Sequence, residues 1–394
     1  MSKIIFVVPP FFGHINPSLS IGKTLLERGH EVIWTGLTEL NKELIPNGGT
    51  YYILKKSFQQ YQKEIENIIH LQDKGANMPA LEALKLGLQD TYIPLAKIMF
   101  DEFNQLVKSF EPDIIINDCI TFVGGLVAHL NKIPLATITP ITPNAIHDPG
   151  TAPKVSKWVH DSIKDLQYYV GIEEDEELVL SKKLNLFYTS QKFVGYKNDE
   201  IPPYMKFIGA LTGRPDNTPF DWEKLNNEKR PIIYISLGTV LVDIRKEFFS
   251  KMVEALGDKN FTVVAATNPT ILNHWPDNFI VQSYVPQLKL LKHVDVVIGH
   301  GGLNTVCDTY MNGIPMLVIP MAFDQSHTGA LIEQYGCGIR LKYKRLRTID
   351  IENAIEELLN NPKYKKSAKE IQESFIEAGG NDSAANLIEN LIKN

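Results

Sequence analysis

Short runs of apolar residues recur along the chain, separated by longer stretches in which apolar positions fall three or four apart. The first run, KIIFVVP (3–9), is apolar on both faces of a strand, the pattern of a parallel sheet covered by helices on each side. A loop, PFFGHINP (10–17), follows it, then a helix expected over 18–28 with Leu19, Leu25 and Leu26 on its inner face, a Gly29 stop, and a strand EVIWTG (31–36). This is a βαβ unit. Further strands are expected at DIIIND (113–118), PLATIT (134–139) and LNLFYTS (184–190), alternating with helical stretches, so a doubly wound parallel sheet is predicted. The helical segment 57–107 and the loop 140–158 are long insertions, and such insertions commonly shape substrate sites.

Residues 209–230, GALTGRPDNTPFDWEKLNNEKR, are rich in proline, glycine and polar residues and read as a connection between domains. A second alternation then begins at PIIYISLG (231–238) and continues through FTVVAAT, FIVQSYV, VDVVIG, PMLVIP and GIRL, with helices closing the chain from about 349. The expected fold is α/β, with two Rossmann-like doubly wound parallel-sheet domains facing across a cleft. Their expected limits are 1–212 and 230–375, joined by a linker at 213–229, with 376–394 as a C-terminal helix packing back on the first domain. A chain of 394 residues exceeds one ordinary core, which agrees with that division.

Composition narrows the class of partner. At 44% apolar and 22% charged residues the chain is that of a folded protein, and a net charge of −6 without a basic stripe disfavours nucleic acid. Cys119, Cys307 and Cys337 are odd in number and lack CxxC spacing, arguing against a disulfide framework or a structural zinc site and for a reducing, cytoplasmic compartment. The N-terminal apolar run is short, contains two prolines and lacks a small-residue cleavage site, and no run reaches the ~20 apolar residues of a membrane helix. No membrane span is expected, attachment to a membrane surface stays open, and a monomer or weak dimer is expected.

The densest chemistry lies between Tyr284 and Gln325. The strand in HVDVVIG ends at His300-Gly301-Gly302, and glycines there let backbone approach a ligand closely. The following LNTVCDTYMN reads as a helix, which puts Asn304 and Thr305 in its first turn, where unpaired N–H groups and the positive end of the dipole attract phosphate. Asp308 sits one turn further on, and PMLVIP delivers Met321 to Gln325 to the same sheet edge, where ligands of such sheets bind. A plain Gly-Gly loop is the competing reading. Polar residues at two successive strand ends favour a phosphate pocket. The dinucleotide fingerprint G-x-G-x-x-G is missing after the first strand, which weakens an NAD or FAD reading.

His14 lies just past the first strand and Asp118 ends DIIIND, so both should emerge at the carboxyl edge of one sheet. Two readings fit that spacing. Histidine can take a proton from a hydroxyl while the aspartate fixes its tautomer; alternatively His14 caps a helix and Asp118 is a turn residue. Neither HExxH spacing nor a D-x-D pair is present, so no metal and no cofactor are expected.

At these residues the chain resembles the family 1 glycosyltransferases of the GT-B fold, of the bacterial macrolide and carotenoid type related to plant and animal UDP-glycosyltransferases. The resemblance spans nearly the whole chain and is carried by PPFFGHINPSLSIGKTLLERGHEV, IINDC, ISLGT, YVPQ and HGGLNTVCD with PMAFDQ. It implies that His14 is the catalytic base and Asp118 its charge partner. It places diphosphate contacts at Thr239, His300, Asn304 and Thr305, with Gly302 in the same turn and Gly238 in the earlier loop. The main chain of Val285 and the amide of Gln287 match the positions that hold base and ribose, Asp308 the acid on the ribose hydroxyls, and Asp324 with Gln325 the pair on the sugar. Backbone donors and His300 would steady charge on the leaving diphosphate, and short acids would discriminate sugars through paired hydrogen bonds. Three positions depart from the pattern: Tyr284 stands where the plant motif has a tryptophan on uracil, Asp308 replaces the plant glutamate, and Gly329 replaces an asparagine common in bacterial relatives.

The implied activity is inverting, metal-independent transfer of a hexose, glucose from UDP-glucose, onto a hydroxyl of an apolar acceptor of flavonoid, macrolide or carotenoid type. Phe11, Phe12 and His147 are expected on the acceptor side. The alternatives are a TDP-deoxysugar donor, a nucleotide-sugar epimerase and a non-catalytic nucleotide-sugar binder.

Overall fold

The structure is a computed structural model, and it describes residues 1–393 apart from 74–77, 144–151, 198–200, 214–217, 227–230, 239–243 and 323–324. Its first sheet contains β1 (Lys3–Val7), β2 (Glu31–Gly36), β3 (Thr50–Ile53), β4 (Ile114–Asp118), β5 (Leu135–Thr139), β6 (Asn185–Phe187) and β7 (Met205–Phe207). The strands are all parallel, in the order β3-β2-β1-β4-β5-β6-β7. The second sheet contains β8 (Ile232–Ser236), β9 (Thr262–Ala266), β10 (Phe279–Gln282), β11 (Val296–Gly299), β12 (Met316–Val318) and β13 (Gly338–Arg340). It too is parallel throughout, in the order β10-β9-β8-β11-β12-β13. These are two Rossmann-like α/β domains.

In each sheet the strand order reverses once, between β1 and β4 and between β8 and β11. A crevice opens at the carboxyl edge of such a reversal because the flanking connections leave in opposite directions. His14 follows β1 and Asp118 ends β4, whereas Gly238 follows β8 and His300 follows β11. Each expected cluster therefore sits at the reversal of its own sheet.

The helix α1 spans Phe12–Glu27, six residues longer at its start than the sequence pattern suggested. It is fixed over β1 and β2 by Trp34, which is fully buried, stacks on Phe6 with ring centroids 5.4 Å apart, and donates its Nε1–H to Ser18 Oγ at 3.1 Å. Gly22 makes the close approach possible, because a β-carbon there would run into the Trp34 ring. Replacing a buried tryptophan by alanine typically costs about 3–5 kcal/mol, so this contact is a main determinant of where α1, and hence His14, lies.

Within 209–230, the described residues include a short helix, Trp222–Asn226, whose Leu225 is buried in the second domain's core. The chain returns at its end. The helix Gly380–Lys393 lays Ala384, Ala385 and Ile388 into the core formed by Ile15, Leu19 and Leu25 of α1. Arg28 holds it from the rim, bonding Asp382 at 2.7 Å and Glu389 at 3.2 Å, and His30 meets Glu389 at 3.1 Å. The two crossings between domains lie side by side, with the Gly380 N–H donating to the Ile208 carbonyl at 2.7 Å. Gly209, at φ +75°, packs against the Phe375 carbonyl, where a side chain would not fit. Among the described residues no helix is long and apolar enough to cross a membrane.

Candidate functional site

Parallel strands β1 and β4 are neighbours, with Val7 opposite Asn117, so the residues just beyond them emerge side by side. His14 is in the first turn of α1, and its Nδ1–H donates to Asp118, with both carboxylate oxygens at 2.9 Å. Asp118 is fully buried and also accepts the Ile120 N–H at 3.0 Å, while the His14 side chain is 19% exposed on the cleft. A buried carboxylate that bonds Nδ1 leaves Nε2 as the nitrogen able to accept a proton, and stabilises the imidazolium that results. Phe11 stands edge-on to the His14 ring, at 6.4 Å between centroids, and packs into the first domain's core, whereas Phe12 is 44% exposed. His147 lies outside the described residues.

Opposite this pair, β11 runs out into His300-Gly301-Gly302 and the helix Leu303–Met311. Gly301 takes φ +94°, the left-handed turn that the motif requires, and Gly302 is the residue that precedes the helix. Asn304 and Thr305 occupy the first turn, at the positive end of the helix dipole. His300 is buried, and burial pushes its imidazole down to about 4, opposed by a hydrogen bond to the Ser236 backbone and reinforced by the Arg245 guanidinium. It is therefore neutral at physiological pH, and its Nδ1 is buried without a partner, an orphan of the sort that marks a ligand site. Its ring lies against Gly238, where an added β-carbon would sit 3.1 Å from Cε1. Gly238 has φ +65°, and its carbonyl accepts from Arg245 Nη2 at 2.6 Å. Thr239 lies outside the described residues.

One turn along, Asp308 accepts from Gln287 Nε2 at 2.7 Å, and Gln287 Oε1 in turn accepts from the Tyr234 hydroxyl at 3.0 Å. This chain holds an acid and an amide in one fixed arrangement at the rim of the cleft. Val285 packs against the second domain's core, and Tyr284 beside it is 70% exposed, as a platform for a planar group would be. Gln325 is buried, with its carbonyl end accepting the N–H groups of Met321 at 2.9 Å and Ala322 at 3.0 Å, so it shapes the loop after β12. Asp324 lies outside the described residues. A cavity of about 750 Å³ opens beside Asp308 between the domains, with Lys23 and Thr212 on one wall and Lys289 and Met311 on the other.

Among the described residues, two contacts join the halves of the site directly. Pro17 has no N–H, so the Gly13 carbonyl, four residues earlier, is left without its helical donor, and the Asn304 side-chain amide donates to it from the other domain. The Cys307 thiol donates to the Tyr188 carbonyl at 2.8 Å. Sequence reasoning missed these contacts and the role of Arg245. Pro17 carried the only available signal, a missing N–H that obliges a nearby carbonyl to find another donor.

A family model described as UDP-glucoronosyl and UDP-glucosyl transferase matches residues 173–374, just over half of the chain. The chain belongs to that family. This glycosyltransferase is 26% identical to the UDP-glucosyltransferase YojK of Bacillus subtilis, over 100% of its own length and 98% of that protein. It is 23% identical to 4'-demethylrebeccamycin synthase of Lentzea aerocolonigenes, over 99% of this chain and 100% of the other. Among solved structures it resembles the glycosyltransferase VinC in complex with DTDP, at TM-score 0.76, 17% identity and full coverage of both chains. The transferase thus has the GT-B architecture, with one site cluster from each domain and the cleft between them.

Proposed function

We propose that this enzyme is an inverting, metal-independent transferase that moves glucose from UDP-glucose to a hydroxyl of an apolar natural-product acceptor. The observation that carries the reading is the His14 ring held through Nδ1 by the buried Asp118, next to Gly13, whose carbonyl accepts from Asn304 in the first turn of the helix Leu303–Met311. His14 Nε2 takes the proton of the acceptor hydroxyl as the oxygen attacks the anomeric carbon. The bond from that carbon to the diphosphate oxygen breaks, and its electron pair leaves with UDP. Attack from the face opposite the leaving group converts an α-linked donor into a β-glycoside.

The leaving diphosphate is received by the first turn of Leu303–Met311, by Asn304 and Thr305, and by His300, whose neutral ring donates through Nδ1 in the tautomer that carries its one proton there rather than on the nitrogen facing the Ser236 backbone. Donors fixed before the reaction stabilise charge as it develops, without reorganising. Asp308 and Gln287 take the ribose, Tyr284 and the main chain of Val285 take the base, and Gln325 with Asp324 and Thr239 complete the donor side. Phe11, Phe12 and His147 face the acceptor. Its apolar character is supported by Phe12, an exposed aromatic two residues before His14, and by the resemblance to 4'-demethylrebeccamycin synthase.

The test is His14→Ala with UDP-glucose and a panel of phenols and macrolides. Transfer should fall by about 10²–10⁴-fold, the usual worth of general-base catalysis, while UDP binding is retained. Transfer persisting near the wild-type rate would refute the assignment. A second reading, a TDP-linked deoxysugar donor, is favoured by Tyr284 in place of tryptophan at the base platform. The nucleotide that binds more tightly raises the unfolding temperature more at equal concentration, so UDP and TDP protection decides between donors. Donor incubated alone distinguishes an epimerase, which would change the sugar without any acceptor.

A further inference from the structure

We propose that His14, Asp118 and Cys119 together form a binding site for a thiophilic divalent cation, Zn²⁺ above all, and that its occupancy switches the transferase off. The inference rests on the reading of His14 as the base. One ligand atom from each of the three residues lies within 4.8 Å of the other two. Asp118 and Cys119 are buried, at 0% and 3% exposed, while the His14 ring opens on the cleft, which is the route by which an ion and a water ligand would enter. The chain turns directly after β4, with the Thr121 N–H bonding the Asp118 carbonyl at 2.9 Å, so the strand alternation that would send Cys119 to the opposite face has ended.

An imidazole nitrogen, a carboxylate oxygen and a thiolate are a donor set suited to zinc, with Zn–N and Zn–O at about 2.0–2.2 Å and Zn–S at about 2.3 Å. Tetrahedral bonds of those lengths set the ligand atoms roughly 3.3–3.7 Å apart. The His14–Asp118 separation of 2.9 Å would open by about half an ångström, and the thiol would close by about an ångström at most, within side-chain rotation. Beside the cluster lies the Tyr188 hydroxyl, buried and without a hydrogen-bond partner. The buried Asp118 carboxylate is the one formal charge these side chains bring, and a cation held on it by all three ligands would be paired at contact distance.

The consequence for the reaction follows from proton bookkeeping. The ion takes the lone pair of Nδ1, so the ring proton moves to Nε2, and the Cys119 thiol loses its proton to solvent. The ring stays neutral, but Nε2 now carries the hydrogen and cannot accept another from the acceptor hydroxyl. The base is removed without any change in the donor domain.

The experiment titrates the full-length enzyme with Co²⁺ and follows the thiolate-to-cobalt charge-transfer band in the near ultraviolet. Transfer is assayed in parallel against Zn²⁺, with each variant compared with its own metal-free rate. The band should saturate at one ion per chain, vanish on adding Zn²⁺, be absent in Cys119→Ser and persist in Cys307→Ser. The Zn²⁺ concentration giving half-inhibition should rise at least about tenfold in Cys119→Ser, since even the loss of a group that only supports a ligand costs about that much, and EDTA should restore the wild-type rate. Unchanged Zn²⁺ inhibition in Cys119→Ser, or a cobalt band that survives that substitution, would overturn the site. The cobalt band does not depend on catalysis. A one-to-one band in a protein whose His14→Ala variant still transfers sugar would therefore uphold the cation site while refuting the base.

Discussion

His300 offers a quantitative test of how the pocket proposed for the donor is built. The imidazole is held at about 4 in the folded chain against an ordinary value of 6.5, chiefly by burial. A depressed value means that the unfolded chain binds a proton more readily, so acid favours unfolding, and the loss grows as pH falls from 6.5 towards 4. At about 1.4 kcal/mol per pH unit the full span is worth roughly 3 kcal/mol, of which about 2 kcal/mol is lost between pH 7 and pH 5. His300→Gln keeps the bulk and removes the titration. Urea unfolding of the second domain should be followed at pH 7 and pH 5 at constant ionic strength, because a two-domain chain need not unfold in one step. The wild type should lose about 2 kcal/mol more than His300→Gln over that interval, all other titrating groups being common to both. Parallel pH dependences in the two proteins would show that the ring is solvated or protonated in the folded state. The orphan nitrogen would then not be a neutral hydrogen-bonding group awaiting the diphosphate.

Two other perturbations follow from packing. Pro17→Ala supplies an N–H that competes for the Gly13 carbonyl, and one neutral hydrogen bond is worth about 1 kcal/mol. The donor KM should rise about two- to fivefold with kcat less affected, and an unchanged donor KM would show that the Asn304 contact does not help to assemble the site. Gly125→Ala drives a β-carbon into the Leu178 carbonyl, a rigid neighbour, so the helix Val123–Asn131 must shift. The first domain should lose about 1–3 kcal/mol in urea unfolding, and a loss below about 0.5 kcal/mol would mean that the loop gives way freely.

The strands that build the two sheets were legible because they are apolar on both faces. β3 and β7 were not: β3 alternates exposed and half-buried residues, and β7 has only three residues, so neither makes an apolar run. The start of α1 was hidden by Gly13 and Pro17, which read as loop residues although helical geometry carries through them. The placement of His14, Asp118, Gly238 and His300 was legible because each ends or follows a strand of recognisable polarity. The contacts of Asn304 with Gly13 and of Arg245 with Gly238 were not, since they depend on how separate segments meet and leave no period in the sequence. The neutral state of His300 was hidden for the same reason, because burial is a property of the assembled fold.

The return of the last helix to α1 also orders events during synthesis. The first domain leaves the ribosome early, but Ile15, Leu19 and Leu25 lack part of their cover until Ala384, Ala385 and Ile388 have been made. The domain translated first is thus completed last. An apolar stripe on it stays open for most of translation, and a stop codon at residue 380 would leave that stripe uncovered in a protein whose second domain is otherwise whole.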